Sequence, residues 1–355
     1  MSGTSLDGID AALVDLSQAA PRLVSCHFQP YAVPLKEALL ALHQVGHNEL
    51  HQSQLIANQL AREYAEATQI LLKKEGVAAA SVQAIGCHGQ TVRHRPEYGY
   101  TIQLNNAALL AELTGIHVVS DFRSRDIAAG GQGAPLVPAF HDHVLRHPNT
   151  HRVILNIGGI ANLTDLPPGK NTTGFDSGPG NLLLDAWIAR RQGKPYDKNG
   201  DWSASGKIIP ALLHRLLAEP FFAAAPPKST GRDLFNLAWL DRHLNGEEKA
   251  EDVQATLLAL TGDSIAAAVQ RFCAGTREIY VCGGGAHNTA LLSHLQQALP
   301  LCHVQKTEVL GIAADWMEAI AFSWLAQQTM HLRPANLPAV TGAKHPCVLG
   351  AIYPA

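Results

Sequence analysis

The chain has 355 residues, 46% of them apolar and 16% charged, and its 27 Lys and Arg against 30 Asp and Glu give a formal net charge of −3. This composition supplies ample core material, which argues against disorder, and it provides no basic face from which nucleic acid would displace counterions. No apolar run approaches the roughly 18 residues of a membrane-spanning helix, and no basic segment leads into an apolar stretch at the start, so neither a membrane partner nor a secretory signal is expected. A chain of this length is better served by two cores than by one, and small ligands commonly bind between domains.

The opening stretch MSGTSLDGID places Gly3 and Gly8 around two hydroxyls, Thr4 and Ser5, ahead of AALVDL. Such a loop between strands wraps phosphate oxygens or serves as a plain hairpin turn, and both readings stand at this point. His43, His47 and His51 follow at helical spacing, but Gly46 and Asn48 interrupt them and no H-E-x-x-H occurs, so they read as a polar face rather than metal ligands. Residues 52–75 carry a helical pattern, 82–87 a strand, 105–114 a helix and 116–121 a strand. Two strand ends in this half, IGCHGQTVRHRP and SDFRSRDIAAGGQGAP, are loaded with polar side chains, where open α/β sheets collect ligands. Asp121, Arg123, Arg125 and Asp126 concentrate four charges there, the mark of a cleft rim or of a solvated loop.

AAGGQGAPLVPAF, residues 128–140, is too rich in Gly and Pro for a regular element and is read as the domain change. Beyond it the alternation repeats: strands over 153–157 and 161–166, helices over 182–192 and 252–273, a strand over 278–282 and a helix over 287–298. LNIGGIANLT sets Gly158 and Gly159 between the first two of these strands, and YVCGGGAHN runs a strand through Gly283, Gly284 and Gly285 towards a helix N-terminus, a setting for a flat ligand or phosphate or for close helix–strand packing. In GFDSGPGNLLLDAW, Asp176 leaves an extended segment just before a helix, which predicts a carboxyl with a depressed pKa that acts as a general base or as a simple cap. Neither G-x-G-x-x-G nor a Walker sequence is present. DWMEAIAFSWLAQQ then aligns Met317, Ile320, Ala321, Trp324 and Leu325 on one face of a long buried helix that returns towards the first domain. The six cysteines are scattered without a C-x-x-C pair, which fits free thiols and a cytoplasmic protein.

Two glycine hairpins, a later GGG and an aspartate between them resemble the actin, Hsp70 and sugar kinase superfamily. MSGTSLDGID, GCHGQTVRH, DFRSRDIAAGGQGAPLVPAFH, LNIGGIANL, FDSGPGNLLLDAW, PKSTGRDLFN and VCGGGAHN, in this order, with VTGA and LGAIYPA at the end, resemble the anhydro-N-acetylmuramic acid kinase family. The resemblance implies an α/β fold of two ribonuclease-H-like domains with a nucleotide and substrate cleft between them. We expect the first domain at 1–127 plus 333–355 and the second at 128–332. It also implies an ATP-dependent reaction of 1,6-anhydro-N-acetylmuramic acid with water, giving N-acetylmuramic acid 6-phosphate in cell-wall recycling.

Carried over by position, Asp176 is the catalytic base, and Gly3, Thr4, Ser5, Leu6, Asp7, Gly8, Ile9 and Asp10 form the first phosphate loop. Gly158, Gly159, Gly283, Gly284 and Gly285 complete the nucleotide contacts, Asp7 and Asp10 hold Mg²⁺ through water, and Gln90, Asp121, Arg123 and Glu318 contact the sugar. The partners are then the sugar and ATP, with a homodimer left open. Two departures stand out: Met1 occupies the place where the superfamily carries an acidic residue, and the chain begins inside the loop that a short strand normally leads into. A kinase of the same superfamily for another sugar, and a nucleotide-gated module of the actin or Hsp70 kind, remain as alternative readings.

Overall fold

A computed structural model describes residues 1–3, 6–18 and 20–355, and the chain divides into two compact units: Met1–Val144 with Trp316–Ala355, and Leu145–Asp315. The expected boundaries lay at 127/128 and 332/333, whereas the units divide at 144/145 and 315/316. Packing explains the difference. The helices Val137–Leu145 and Met317–Met330 meet through Phe140 and Trp324, whose rings stand edge to face at 6.0 Å, and Gln327 Nε2 donates to the Leu16 carbonyl at 3.0 Å.

In the first unit, β1 (Gly8–Asp15) and β2 (Arg22–Pro30) form an antiparallel hairpin, and the Glu49–Glu75 helix lies over it. Leu60, Ala61, Tyr64 and Ala67 of that helix pack with Ile9, Leu35, Leu39 and Leu110 into one core. The hairpin turn therefore falls between β1 and β2, and the glycine-rich opening precedes β1. β3 (Ile85–Gly86) pairs in parallel with β6 (Val118–Ser120), which the distant strand β12 (Ala351–Tyr353) joins antiparallel, and β4 (Gln90–Arg95) and β5 (Tyr100–Leu104) make a separate hairpin. Among the described residues β1 pairs only with β2, and β3 only with β6. A cavity of about 530 Å³ runs along β1, lined by Leu13, Leu71, Ile85 and Ala326 among others. The His43–His51 spacing is not realised as a helix face: one helix ends at Ala41 and the next starts at Glu49.

The second unit carries a five-stranded sheet in the order β11 (His303–Lys306), β10 (Glu278–Cys282), β7 (Arg152–Ile157), β8 (Ile160–Leu166), β9 (Thr173–Pro179). β7, β8 and β9 form an antiparallel meander while β10 and β11 run parallel to β7, which is the ribonuclease-H arrangement. β7 is buried as a continuous run, with Val153, Ile154 and Leu155 at 1% exposure or less, because helices cover both faces of a central strand. The Ala250–Phe272 helix packs on β9 and is buried almost all round, from Val253 to Val269. No helix of the described residues is long and apolar enough to cross a membrane.

Candidate functional site

In the second unit the residues singled out above converge on the ends of β7, β9 and β10. Gly158 and Gly159 turn β7 into β8, and their carbonyls accept from the amides of Asn181 at 2.8 Å and of Gly180 at 2.9 Å. Asn181 Nδ2 donates to the Ile157 carbonyl at 3.3 Å, at the start of the Leu182–Gln192 helix. Gly283 holds φ +77°, and a Cβ there would lie 2.4 Å from Asn156 Oδ1, while one on Gly285 would meet Ile157 Cγ2 at 2.3 Å. These two glycines are required by close packing against β7. Gly284, Gly158 and Gly159 differ: the nearest atom a Cβ would meet lies at 3.7, 3.7 and 4.0 Å respectively. A Cβ at any of them would make only ordinary contacts, and Gly159 and Gly284 are exposed, which suits close approach of a ligand to the backbone. The GGG segment enters a short 3-10 turn, Gly284–His287, and the following helix starts only at Thr289 with Asn288 as its cap. The helix N-terminus expected next to the glycines is thus separated from them by a 3-10 turn.

Asp176 sits in β9, not at the mouth of a helix, since the helix begins at Leu182. Its backbone N–H donates to the Lys228 carbonyl at 3.0 Å, and its Oδ2 accepts from the Thr230 N–H at 2.9 Å. The expected depressed pKa is corrected here: burial pushes the carboxyl up to about 6, and the Thr230 amide and the Lys228 charge only partly offset it. A carboxyl so tuned accepts a proton at neutral pH and yields it readily. Sequence reasoning named PKSTGRDLFN only for its family resemblance and gave Lys228 and Thr230 no role beside Asp176.

In the first unit, Thr4 and Ser5 lie outside the described residues. Gly3 accepts from Gln90 Nε2 at 3.1 Å, and Gln90 Oε1 accepts from the Tyr31 hydroxyl at 3.4 Å, so this fully buried amide braces the opening segment. Met1 and Asp10 exchange two bonds, the Met1 ammonium donating to Asp10 O at 2.7 Å and Asp10 N to Met1 O at 2.8 Å. Leu6 has φ +56°, and its side chain and that of Ile9 are buried, which leaves only their backbone for a ligand. A Cβ on Gly8 would lie 2.3 Å from the Gln29 carbonyl, so β1 starts with glycine to pair closely with β2. Asp7 is exposed and Asp10 half-buried.

Arg123 Nε donates to His88 Nε2 at 3.0 Å and its NH1 to the Gly133 carbonyl at 2.8 Å. His88 is buried against Phe322, with centroids 4.7 Å apart, and its Nδ1 lies 2.7 Å from the Gly89 carbonyl. That arrangement fixes the neutral tautomer with its proton on Nδ1, and burial holds the imidazole well below its ordinary pKa. Burial likewise lowers Arg123 to about 10, against the opposing charges of Glu318 and Asp126. The Glu318 side chain is accessible, yet enough protein surrounds it to push its carboxyl up, with Arg123 pulling the other way. Arg123 and Glu318 thus act on each other, whereas Asp121 stands apart at φ +58° with its Oδ1 accepting from Ser124 Oγ at 2.6 Å.

Asp126, read with its neighbours as part of a charged rim, is wholly buried. Its Oδ2 accepts from the Gly133 N–H at 2.8 Å and its Oδ1 from Asn336 Nδ2 at 2.6 Å and Thr341 Oγ1 at 2.7 Å. It ties the GGQG segment to the far end of the chain. Asp126→Ala leaves these donors unmet and is expected to cost about 3 to 5 kcal/mol. A chemical-denaturation midpoint unchanged from the parent would refute the tie.

Among the described residues no group of three or more His, Cys, Asp or Glu side chains could hold a metal ion. Asp7 and Asp10 fit at most a role through water. The fit for a nucleotide rests on the uncrowded backbone of Gly158, Gly159 and Gly284 beside Asn181.

Comparison with known proteins matches residues 1–355 to the family model for anhydro-N-acetylmuramic acid kinase. The chain is 58% identical over 357 residues to the protein of that name from Nitrosospira multiformis, covering 100% of this chain and 98% of the relative. It is 55% identical to the one from Nitrosomonas europaea with the same coverage, and 57% identical to the one from Thiobacillus denitrificans, covering 96% of it. The chain belongs to the anhydro-N-acetylmuramic acid kinase family.

Proposed function

We propose that this chain is an ATP-dependent kinase that converts 1,6-anhydro-N-acetylmuramic acid and water to N-acetylmuramic acid 6-phosphate in peptidoglycan recycling. The observation that carries the chemical step is Asp176: one carboxylate oxygen is held by the Thr230 amide, and the other has no hydrogen-bond partner among the described residues. That free oxygen accepts a proton from the water that attacks the anomeric carbon, so the 1,6-anhydro bridge opens with inversion. The O6 released in this opening is the acceptor for phosphoryl transfer, a reaction helped mainly by positioning and charge neutralisation. ATP, when bound, supplies the phosphoryl group, and Mg²⁺ neutralises its charge.

The Gly3–Asp10 segment and the turns at Gly158, Gly159 and Gly283–Gly285 are assigned to the nucleotide, with Asp7 and Asp10 holding Mg²⁺ through water. Arg123 and Glu318 are assigned to the sugar, because a guanidinium pairs well with a lactyl carboxylate and a carboxyl accepts from hydroxyls. Asp121 joins them. Gln90 acts through the opening segment, which it braces at Gly3. A cytoplasmic setting is in keeping with six free cysteines.

The reaction is tested by mass spectrometry of the product formed from ATP, Mg²⁺ and the anhydro-sugar in ¹⁸O-labelled water. Label at C1 is expected; an ordinary phosphorylated sugar without label would point to a kinase for another acceptor. The pH dependence follows from Asp176. Its carboxyl is raised to about 6, so the base is ionised above that pH and is lost as pH falls through it. We expect an acid limb in kcat near pH 6, with activity at pH 5 about one-tenth of the plateau. A flat profile down to pH 4.5 would remove Asp176 from the role of base.

A further inference from the structure

Residues Lys228, Ser229 and Thr230 run beside β9 and bond to it at both ends: the Lys228 carbonyl accepts from the Asp176 N–H, and the Thr230 N–H donates to Asp176 Oδ2. The Lys228 side chain is itself anchored. Its ammonium donates to the carbonyls of Phe221 at 3.1 Å and Phe222 at 3.4 Å, and it lies 4.5 Å from the centroid of the Phe221 ring. An ammonium fixed by two carbonyls and an aromatic face keeps its charge in one place, which a freely rotating surface lysine does not. The Thr230 hydroxyl, Oγ1, is buried without a hydrogen-bond partner. A buried hydroxyl left unmatched is costly unless a ligand or water meets it.

We propose that Lys228–Thr230 is a positioning strap for Asp176, in which the Thr230 amide aims the carboxylate, the anchored Lys228 holds a fixed positive charge near it, and Thr230 Oγ1 is held ready for the reacting water or sugar. The inference rests on Asp176 being the base. The groups packed around Asp176 leave Lys228 as its charged neighbour. β8 places Asn162 opposite it in register, the Ala250–Phe272 helix brings Ser264 to Gly178, and the Pro220–Ala223 turn brings Phe222. Arg271 of the long helix acts on Lys228, lowering its pKa together with burial, while Asp176 raises it. Removing the Lys228 charge therefore takes away a force that opposes burial at Asp176 and moves that carboxyl further up.

The test is the pH profile of kcat for Lys228→Met, Lys228→Arg, Thr230→Val and Asp176→Asn in the full chain, with thermal melting to confirm folding. For Lys228→Met the acid limb is expected to move up by about one unit, a loss of about threefold at pH 6.5 that disappears by pH 8.5. Lys228→Arg is expected to restore the limb. Thr230→Val keeps the amide and loses the hydroxyl, and is expected to lower kcat about tenfold at every pH without moving the limb. A Lys228→Met profile superimposable on the parent, with Asp176→Asn inactive, overturns the strap alone. Full turnover by Asp176→Asn overturns the base reading and the strap with it.

Discussion

Asp176→Asn is expected to fold and bind nucleotide like the parent while its turnover of the anhydro-sugar falls by about a thousandfold, within the range a general base contributes. The substitution is nearly isosteric. Its side-chain carbonyl can still accept from the Thr230 N–H, and its backbone still pairs with Lys228, so the end of β9 keeps its geometry. What is lost is the group proposed to take the proton from water as the anhydro bridge breaks. The residual rate is expected to lose the acid limb near pH 6, because no titrating carboxyl remains at that position. Product formation followed by mass spectrometry, with nucleotide affinity followed by calorimetry, separates the outcomes. Turnover within about threefold of the parent would remove the chemistry from Asp176, because so small a change is far below what losing a base does.

The second unit was more legible than the first, and its strands show why. Long apolar runs bounded by glycine, such as VILNIGG and IYVCGGG, define β7 and β10 without ambiguity, and the expected helix over 182–192 coincides with the one observed, closed by Gly193 at φ +66°. In the first unit the strand expected over 82–87 is reduced to Ile85–Gly86, because its backbone pairs with β6 alone. The hairpin of β4 and β5 escaped notice because QTVRHR and YTIQL carry too few apolar residues to mark a strand face. Candidate site residues stood out where chemistry and glycine pattern coincide, as in FDSGPGN. They were not legible where function depends on distant partners. Asp126 resembled a rim charge until Asn336 and Thr341 were seen to bind it, and the pKa of Asp176 is set by burial and by Lys228, some fifty residues away. Local sequence suggests a helix N-terminus beside Asp176; the fold places that residue in a strand, where burial decides its pKa.

Gly180→Ala is expected to be strongly damaging in the second unit. Gly180 does not need glycine for its backbone angles, since its φ is not among the positive ones. It needs glycine for space. A methyl group there would lie 2.4 Å from the Gly158 carbonyl, 3.2 Å from the Ala161 amide and 3.3 Å from Ile157 Cγ2. Two of these atoms are backbone, and the Gly158 carbonyl is already engaged by the Asn181 N–H, so neither the turn nor the start of the Leu182–Gln192 helix can shift alone. We expect a loss of about 2 to 4 kcal/mol in unfolding free energy. Because the Gly158–Gly159 turn must move with its partner, nucleotide affinity is expected to fall at least about tenfold, corresponding to about 1.4 kcal/mol. Gly46→Ala is the matched control: a Cβ there meets nothing within 4 Å, its φ is not positive, and it is expected to change neither quantity. Denaturant titration and calorimetric nucleotide binding on both variants decide the matter. If Gly180→Ala matched Gly46→Ala in both, the close contact between the two turns would not be what shapes the nucleotide face.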